Sequence, residues 1–190
     1  MRHAAPWLVL GVAALLVVVL GTQIRGLQRE VRRLQGRQHL LQAGDVVAAV
    51  RAPALEGDSV TMGGGPARVQ ILFVLTTTCP YCLETLPRWT QIADRVRPMP
   101  DIALIGVSLD GDSATGAYAA AHALPFPIVR FPTLRAAGTY RALGSPITLA
   151  LDSGGTVLYA RAGVLTSAAV DSLFTALEDT LSAPGGGGSS

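Results

Sequence analysis

Lysine and asparagine are absent from this 190-residue chain, cysteine occurs twice and histidine three times. With all fifteen basic residues arginine, and alanine and glycine abundant, this is the usage of a GC-rich bacterial genome and bears on origin rather than mechanism. The scarcity of cysteine excludes more. Cys79 and Cys82 stand too close together to staple a fold as a long-range disulfide would, so a disulfide-rich scaffold is ruled out. A four-cysteine zinc site fails on count, and His3, His39 and His122 lack the close pairing that a site of two cysteines and two histidines needs. No metal is expected. Charge is also scarce: 15% of residues are charged, 49% are hydrophobic and the mean hydropathy is +0.41, too apolar for disorder and high for a wholly soluble chain. Five of the arginines are gathered between Arg25 and Arg37, so the net charge of +2 is no general nucleic-acid footprint. The length suits one domain with appendages.

The appendages are legible. After a flank at 1–5, residues 6–24 carry no charge, and a helix of that length reaches about 28 Å, against about 30 Å for a bilayer core. A transmembrane signal anchor is expected there. Arg2 ahead of the run would also suit a cleaved signal peptide, but no Ala-x-Ala site follows before the arginines, and no cysteine directly follows to take a lipid. An Arg-rich helical stalk is expected over residues 25–43, with Ile24, Leu27, Val31, Leu34 and Leu41 on a heptad seam interrupted at Gln38. The seam is shorter than a coiled coil requires, so the stalk is a spacer that supports at most a weak dimer. The arginines beyond the run, counted by the positive-inside rule, would hold the rest of the chain in the cytoplasm.

From Gly44 the texture is globular, over residues 44–182. Residues 53–57 and 59–62 suggest a short hairpin. Residues 68–75 are a near-continuous apolar run suited to a buried central strand, 80–96 a helix, 102–108 a second buried strand and 113–123 an Ala-rich helix. A short extended piece at 127–131 and a helical turn or two at 134–143 follow. Residues 147–151 and 156–161 flank the turn sequence Asp152-Ser-Gly-Gly155, and 167–181 is an amphipathic closing helix. Strands alternating with helices, then a hairpin, predict a mixed α/β sheet covered on both faces. The Gly/Ser tail, 183–190, has no core-forming content.

Cys79-Pro80-Tyr81-Cys82 falls where the first long strand meets a helix. Unpaired N–H groups and the macrodipole at a helix N-terminus favour an anion, which makes Cys79 the attacking thiolate. Cys82, one turn on, can attack the resulting mixed disulfide within the same chain. A buried pair of small apolar residues or half a metal site are the other readings of the same spacing.

Over residues 44–181 the chain resembles the membrane-anchored thioredoxin-like thiol:disulfide oxidoreductases of bacterial envelopes, the TlpA-like group. The likeness rests on the Cys-x-x-Cys pair, Pro87 five residues after it, Leu124-Pro-Phe-Pro127, the run Gly144-Ser-Pro146-Ile-Thr-Leu-Ala-Leu-Asp152-Ser-Gly-Gly155, and Gly163. The resemblance implies a thioredoxin-like mixed sheet flanked by helices and a cis Ser145-Pro146 bond facing the cysteines. It further implies a client-binding surface of Pro80, Tyr81, Ser145 and Pro146, on which an extended client pairs with Ser145 as an added strand. Protein dithiol or disulfide clients and a redox partner protein would be the partners, and no cofactor is called for. The anchor, Arg-rich stalk and Thr76-Thr-Thr78 flank are most similar to the methylamine dehydrogenase accessory (MauD-type) proteins. The group works outside the cytoplasmic membrane, so a single-pass protein with its domain on the periplasmic side is expected despite the flanking arginines.

The chain departs from the group at Thr78, where Trp is common, at Phe73, where typical thioredoxins bury an Asp, and at Thr85, where a Glu is frequent. Glu84 stands one residue away, on another helical face, so no carboxylate is assured as proton acceptor for Cys82. Two rival functions fit less well. A peroxiredoxin motif needs a proline seven residues before its cysteine, and here that residue is Leu72. A copper-delivering chaperone could draw on His122, but its cysteines are spaced by three residues rather than two. An intact cysteine pair speaks against a non-catalytic binding module.

Overall fold

The computed structural model describes residues 40–182. The expected flank at 1–5, anchor at 6–24, most of the stalk at 25–43 and the tail at 183–190 lie outside the described residues, and among those described no helix is long and apolar enough to cross a membrane.

The chain runs β1 (Val50–Ala52), β2 (Val60–Met62), β3 (Val69–Leu75), α1 (Pro80–Val96), β4 (Ile102–Ser108), α2 (Asp112–His122), β5 (Ile128–Arg130), α3 (Leu134–Thr139), β6 (Ile147–Asp152), β7 (Val157–Ala162) and α4 (Ser167–Ser182). Five strands form one sheet in the order β5-β4-β3-β6-β7. The β3–β4 and β4–β5 pairs are parallel, whereas β6 and β7 run antiparallel to their neighbours. The mixed α/β sheet expected from the alternation is what forms.

All seven residues of β3 are buried because the strand is covered on both faces. Val69, Ile71, Phe73 and Leu75 point into a core shared with α1, α2 and α4, while Leu72 and Val74 join a second core with Met62, Val107, Tyr140 and Leu149. Helix α1 buries Cys82, Thr85, Trp89, Ile92, Ala93 and Val96, a stripe at helical spacing. Trp89 stacks on Phe73 with centroids 5.1 Å apart, and its Nε1–H donates to Thr148 Oγ1 at 3.0 Å, so α1 is pinned across β3 to β6. The Arg95 guanidinium lies 3.7 Å over the Phe174 ring and ties α1 to α4.

Two boundaries differ from the sequence expectation. Strand β2 pairs with residues 50–52 instead of 53–57. Pro53 has no N–H to continue that ladder, and the chain turns to the edge of β5, where Arg130 N donates to Pro53 O and Leu55 N donates to Ile128 O. The stalk boundary also moves. Residues 40–43 are not helical, and Leu41, placed on the stalk seam by its spacing, is buried in the second core. Gly44 N donates to Val157 O and Val47 N to Gly155 O, which lays this segment along β7. Buried Gln70 fixes the β2 turn from below: its Oε1 accepts from Gly63 N at 2.8 Å while its Nε2 donates to Thr61 O and Gly64 O at 2.8 and 2.6 Å.

Candidate active site

Strand β3 ends at the C-terminal edge of the parallel strands, and Thr76, Thr77 and Thr78 carry the chain into α1. Each of the first two is held from elsewhere in the fold. Thr77 donates to the Asp110 carboxylate through both its N–H, at 2.5 Å, and its hydroxyl, at 2.8 Å. Asp110 N in turn donates to Ser108 Oγ at 3.1 Å. Because Thr115 Oγ1 donates to Gly111 O, the 2.8 Å contact between Ser108 and Thr115 has serine as donor, and the network runs unbroken from the cysteine loop to the start of α2. Thr76 Oγ1 lies 2.8 Å from Ser145 Oγ and joins the loop to the segment before β6.

Cys79 is the N-cap of α1, in extended conformation with φ −83° and ψ 113°, and Pro80 occupies the start of the helix, where a missing N–H costs nothing. Cys79 O accepts from Cys82 N at 3.1 Å and from Leu83 N at 3.4 Å. Both cysteines are free; Cys79 is partly exposed and Cys82 fully buried. The Ser145–Pro146 bond is cis, and Cys79 Sγ donates to Ser145 O at 3.6 Å. Tyr81 projects into solvent, 60% exposed, beside this contact. Cys79, Pro80, Tyr81 and Ser145 therefore share one surface, with Cys82 and Pro146 buried beneath it.

The two thiols are electrostatically unequal. Partial burial opposes ionisation of Cys79, but hydrogen bonds from the side chains of Cys82 and Ser145 and from the backbone of Cys82 and Tyr81 outweigh it, and its pKa falls below the ordinary thiol value. Burial pushes Cys82 up to about 11, and the neighbouring Cys79 adds to the rise. The arrangement provides an accessible nucleophile and, one helical turn deeper, a protonated reserve thiol.

The departures noted in the sequence are physically consistent here. Phe73 fills the place of a buried carboxylate with a ring stacked on Trp89 and tilted against Phe126. Glu84 is exposed, and Thr85 is buried with its hydroxyl accepting from Leu165 N at 3.3 Å. His122 is exposed with its ring against Tyr118, 4.4 Å between centroids, and among the described residues no three His, Cys, Asp or Glu side chains gather as a ligand set. Asp110 and Tyr118 were missed by the sequence reading. Neither had a local signal, since one is an acidic residue in a turn after a strand and the other a single tyrosine in an Ala-rich helix.

No family model matches the chain, and no curated protein matches it. Solved structures do. StoA from Bacillus subtilis is 23% identical, with a TM-score of 0.58 over 70% of this chain and 98% of that one. The thioredoxin domain of a thiol-disulfide oxidoreductase from Bacteroides vulgatus is 16% identical, with a TM-score of 0.60 over 71% of this chain and 97% of that one. A peroxiredoxin-like protein from Aquifex aeolicus is 15% identical, with a TM-score of 0.57 over 72% of this chain and 88% of that one. The fold of residues 40–182 is thioredoxin-like, and structures of thiol-disulfide oxidoreductases are among those that share it.

Proposed function

We propose that this chain is a membrane-anchored thiol:disulfide oxidoreductase. The observation that carries the reading is the pair itself: a partly exposed Cys79 with a lowered pKa at the N-cap of α1, and a buried Cys82 one turn behind it. In the reducing direction the Cys79 thiolate attacks a client disulfide, breaks its S–S bond and expels one client thiolate, which takes up a proton. Cys82 then loses its proton and attacks Cys79 Sγ, forming the Cys79–Cys82 disulfide and releasing the second client thiolate. The client gains two electrons and the protein loses two; the reverse sequence oxidises a client dithiol. The electron pair passes between sulfurs throughout, so no cofactor takes part.

The surface around Cys79 supports a polypeptide client. Exposed Tyr81 offers an apolar contact, and Ser145, whose carbonyl already meets the Cys79 thiol, offers backbone for an added strand. The apolar run at 6–24 supports an anchored protein, and against the count of arginines after it the disulfide chemistry of the pair favours envelope proteins as partners, including one that resets the cysteine pair, with at most a weak dimer through the stalk. The Thr76-Thr77-Thr78 flank supports a MauD-type role within the group. We place the domain on the periplasmic side, because a disulfide cycle needs a compartment in which thiols are not held reduced. An alkaline phosphatase fusion after Ser182 is expected to be active in cells, and an inactive one would put the domain inside.

The peroxidase reading prompted by the Aquifex neighbour has less behind it. Leu72, at the position of the peroxide-binding proline, is fully buried in the middle of β3, and the Thr76 hydroxyl is engaged by Ser145. The deciding experiment is a trap. Cys82→Ser is expected to accumulate mixed disulfides with envelope proteins, resolved by reductant, and Cys79→Ser to accumulate none; equal trapping by both variants would sink the assignment.

A further inference from the structure

The second half of this exchange has a physical difficulty. Cys82 must become a thiolate in a fully buried site, where hydrogen bonds from the Thr76 backbone and the Ser145 side chain favour the anion but burial outweighs them. Phe73 is apolar, Glu84 faces solvent, Thr85 is engaged by Leu165 N–H and Asp110 by Thr77. A carboxylate cannot be the helper here.

One polar group in this core has no assignment. Tyr118, on α2, is 93% buried in the same core cluster as Cys82, Phe73 and Phe126, and its hydroxyl has no hydrogen-bond partner among the described residues. Buried hydroxyls are nearly always satisfied, and an orphan is expensive to keep, so one in the core that holds the reactive pair calls for a use. Tyr118 and Cys82 share one buried cluster, and in keeping with this, burial raises the phenol's pKa and the charges of Cys82 and then Cys79 raise it further.

Resting on the oxidoreductase reading, we propose that Tyr118 is the positioning residue for the resolving step: its neutral O–H turns to the Cys82 sulfur as the thiolate forms, directly or across one water, and stabilises it for attack on Cys79. Tyr118 is a donor in this role and takes no proton. The Cys82 proton leaves to solvent or to the departing client thiolate, and the electron pair moves from Cys82 to Cys79 as before. The ionisable groups around the pair are few. Helix α1 brings Cys79 and the solvent-facing Glu84, α2 brings Tyr118 and the exposed His122 against its ring, the turn before α2 brings Asp110 on Thr77, and β3, β6 and the segment before β6 bring none.

The test separates the two half-reactions in the full chain held in detergent, with Ellman's reagent as the disulfide. Attack by Cys79 releases one coloured thiolate, and resolution by Cys82 releases the second, so the release is biphasic. Tyr118→Phe is expected to leave the first phase unchanged and to slow the second by about ten- to a hundredfold at neutral pH, the effect of losing one hydrogen bond to a charged group. The pH midpoint of the second phase is expected to rise. Thermal stability separates this from a packing role: removing an unsatisfied hydroxyl should leave Tm unchanged or raise it, whereas Tyr118→Leu should lower it. A second phase in Tyr118→Phe that matches the wild type in rate and pH midpoint overturns the assignment and leaves the oxidoreductase reading standing. Loss of the first phase from the wild type itself would bring down both.

Discussion

Cys79 Sγ meets the carbonyl oxygen of Ser145 at 3.6 Å across 66 residues of sequence. The contact joins the start of α1 to the segment before β6, two pieces of chain that end at the same edge because β3 and β6 are paired antiparallel, with Val74 opposite Ile147. It also places a backbone acceptor beside the reactive sulfur.

The inequality of the two thiols predicts their chemistry. At pH 7.5 Cys79 is expected to be alkylated by iodoacetamide at least about tenfold faster than Cys82, because its lowered pKa yields more thiolate and it alone is accessible. Replacing Cys82 with Ala removes a hydrogen bond to Cys79 and should move the Cys79 midpoint upward. Peptide mass spectrometry after timed alkylation reads both effects, and faster labelling of Cys82 would reverse the proposed roles.

The same inequality makes the reduced protein pH-sensitive. Cys82 holds its proton more tightly folded, at about 11, than unfolded, at about 8.5. Its contribution is therefore complete below about pH 8.5 and declines as pH rises toward 11, by about 3 kcal/mol in all. The lowered Cys79 works in the opposite sense, losing its contribution as pH falls through its folded value. Urea denaturation of the reduced protein between pH 8 and 11 should show a decline that Cys82→Ala flattens; an equal decline in the variant would assign the slope to other groups.

Thr148→Val keeps the shape of a buried side chain and removes the acceptor of the Trp89 indole N–H. A buried donor left unsatisfied costs about 1–3 kcal/mol, so the urea midpoint is expected to fall by that equivalent without a change in m. Trp89 fluorescence offers a direct probe, and an unchanged midpoint would mean the indole finds another acceptor.

Gly155 has φ +84°, and a Cβ placed on it would lie 2.3 Å from Val47 O and 3.1 Å from Gly63 O. Gly155→Ala is expected to cost about 2–4 kcal/mol through backbone strain and forced separation of the 41–47 segment from the β6–β7 turn. Because this turn sits at the end of β6 away from Ile147, the Cys79 alkylation rate of the folded protein should stay unchanged. A destabilised protein with altered Cys79 reactivity would show that the two ends of the sheet are linked.

Local pattern determined a good deal of this protein. The apolar runs at 68–75 and 102–108 suited buried strands, 80–96 read as a helix, and the short cysteine spacing at the strand-to-helix junction marked the candidate nucleophile. These features are written within a few residues of one another, which is the range over which periodicity carries information. What tertiary structure decided lies at long sequence separation. Leu41, on the stalk seam by its spacing, is drawn into the domain core by hydrogen bonds to β7, and the partner of β2 moves to residues 50–52 because Pro53 and Leu55 are claimed by β5. Asp110 reaches Thr77, Ser145 reaches Cys79, and the unpartnered hydroxyl of Tyr118 comes into the core of Cys82 from a helix whose composition gave no sign of it. The environment of a buried thiol is set by whichever side chains the packed sheet and helices bring around it. The Cys-x-x-Cys motif locates the chemistry, and the packed core sets the ionisation of each sulfur.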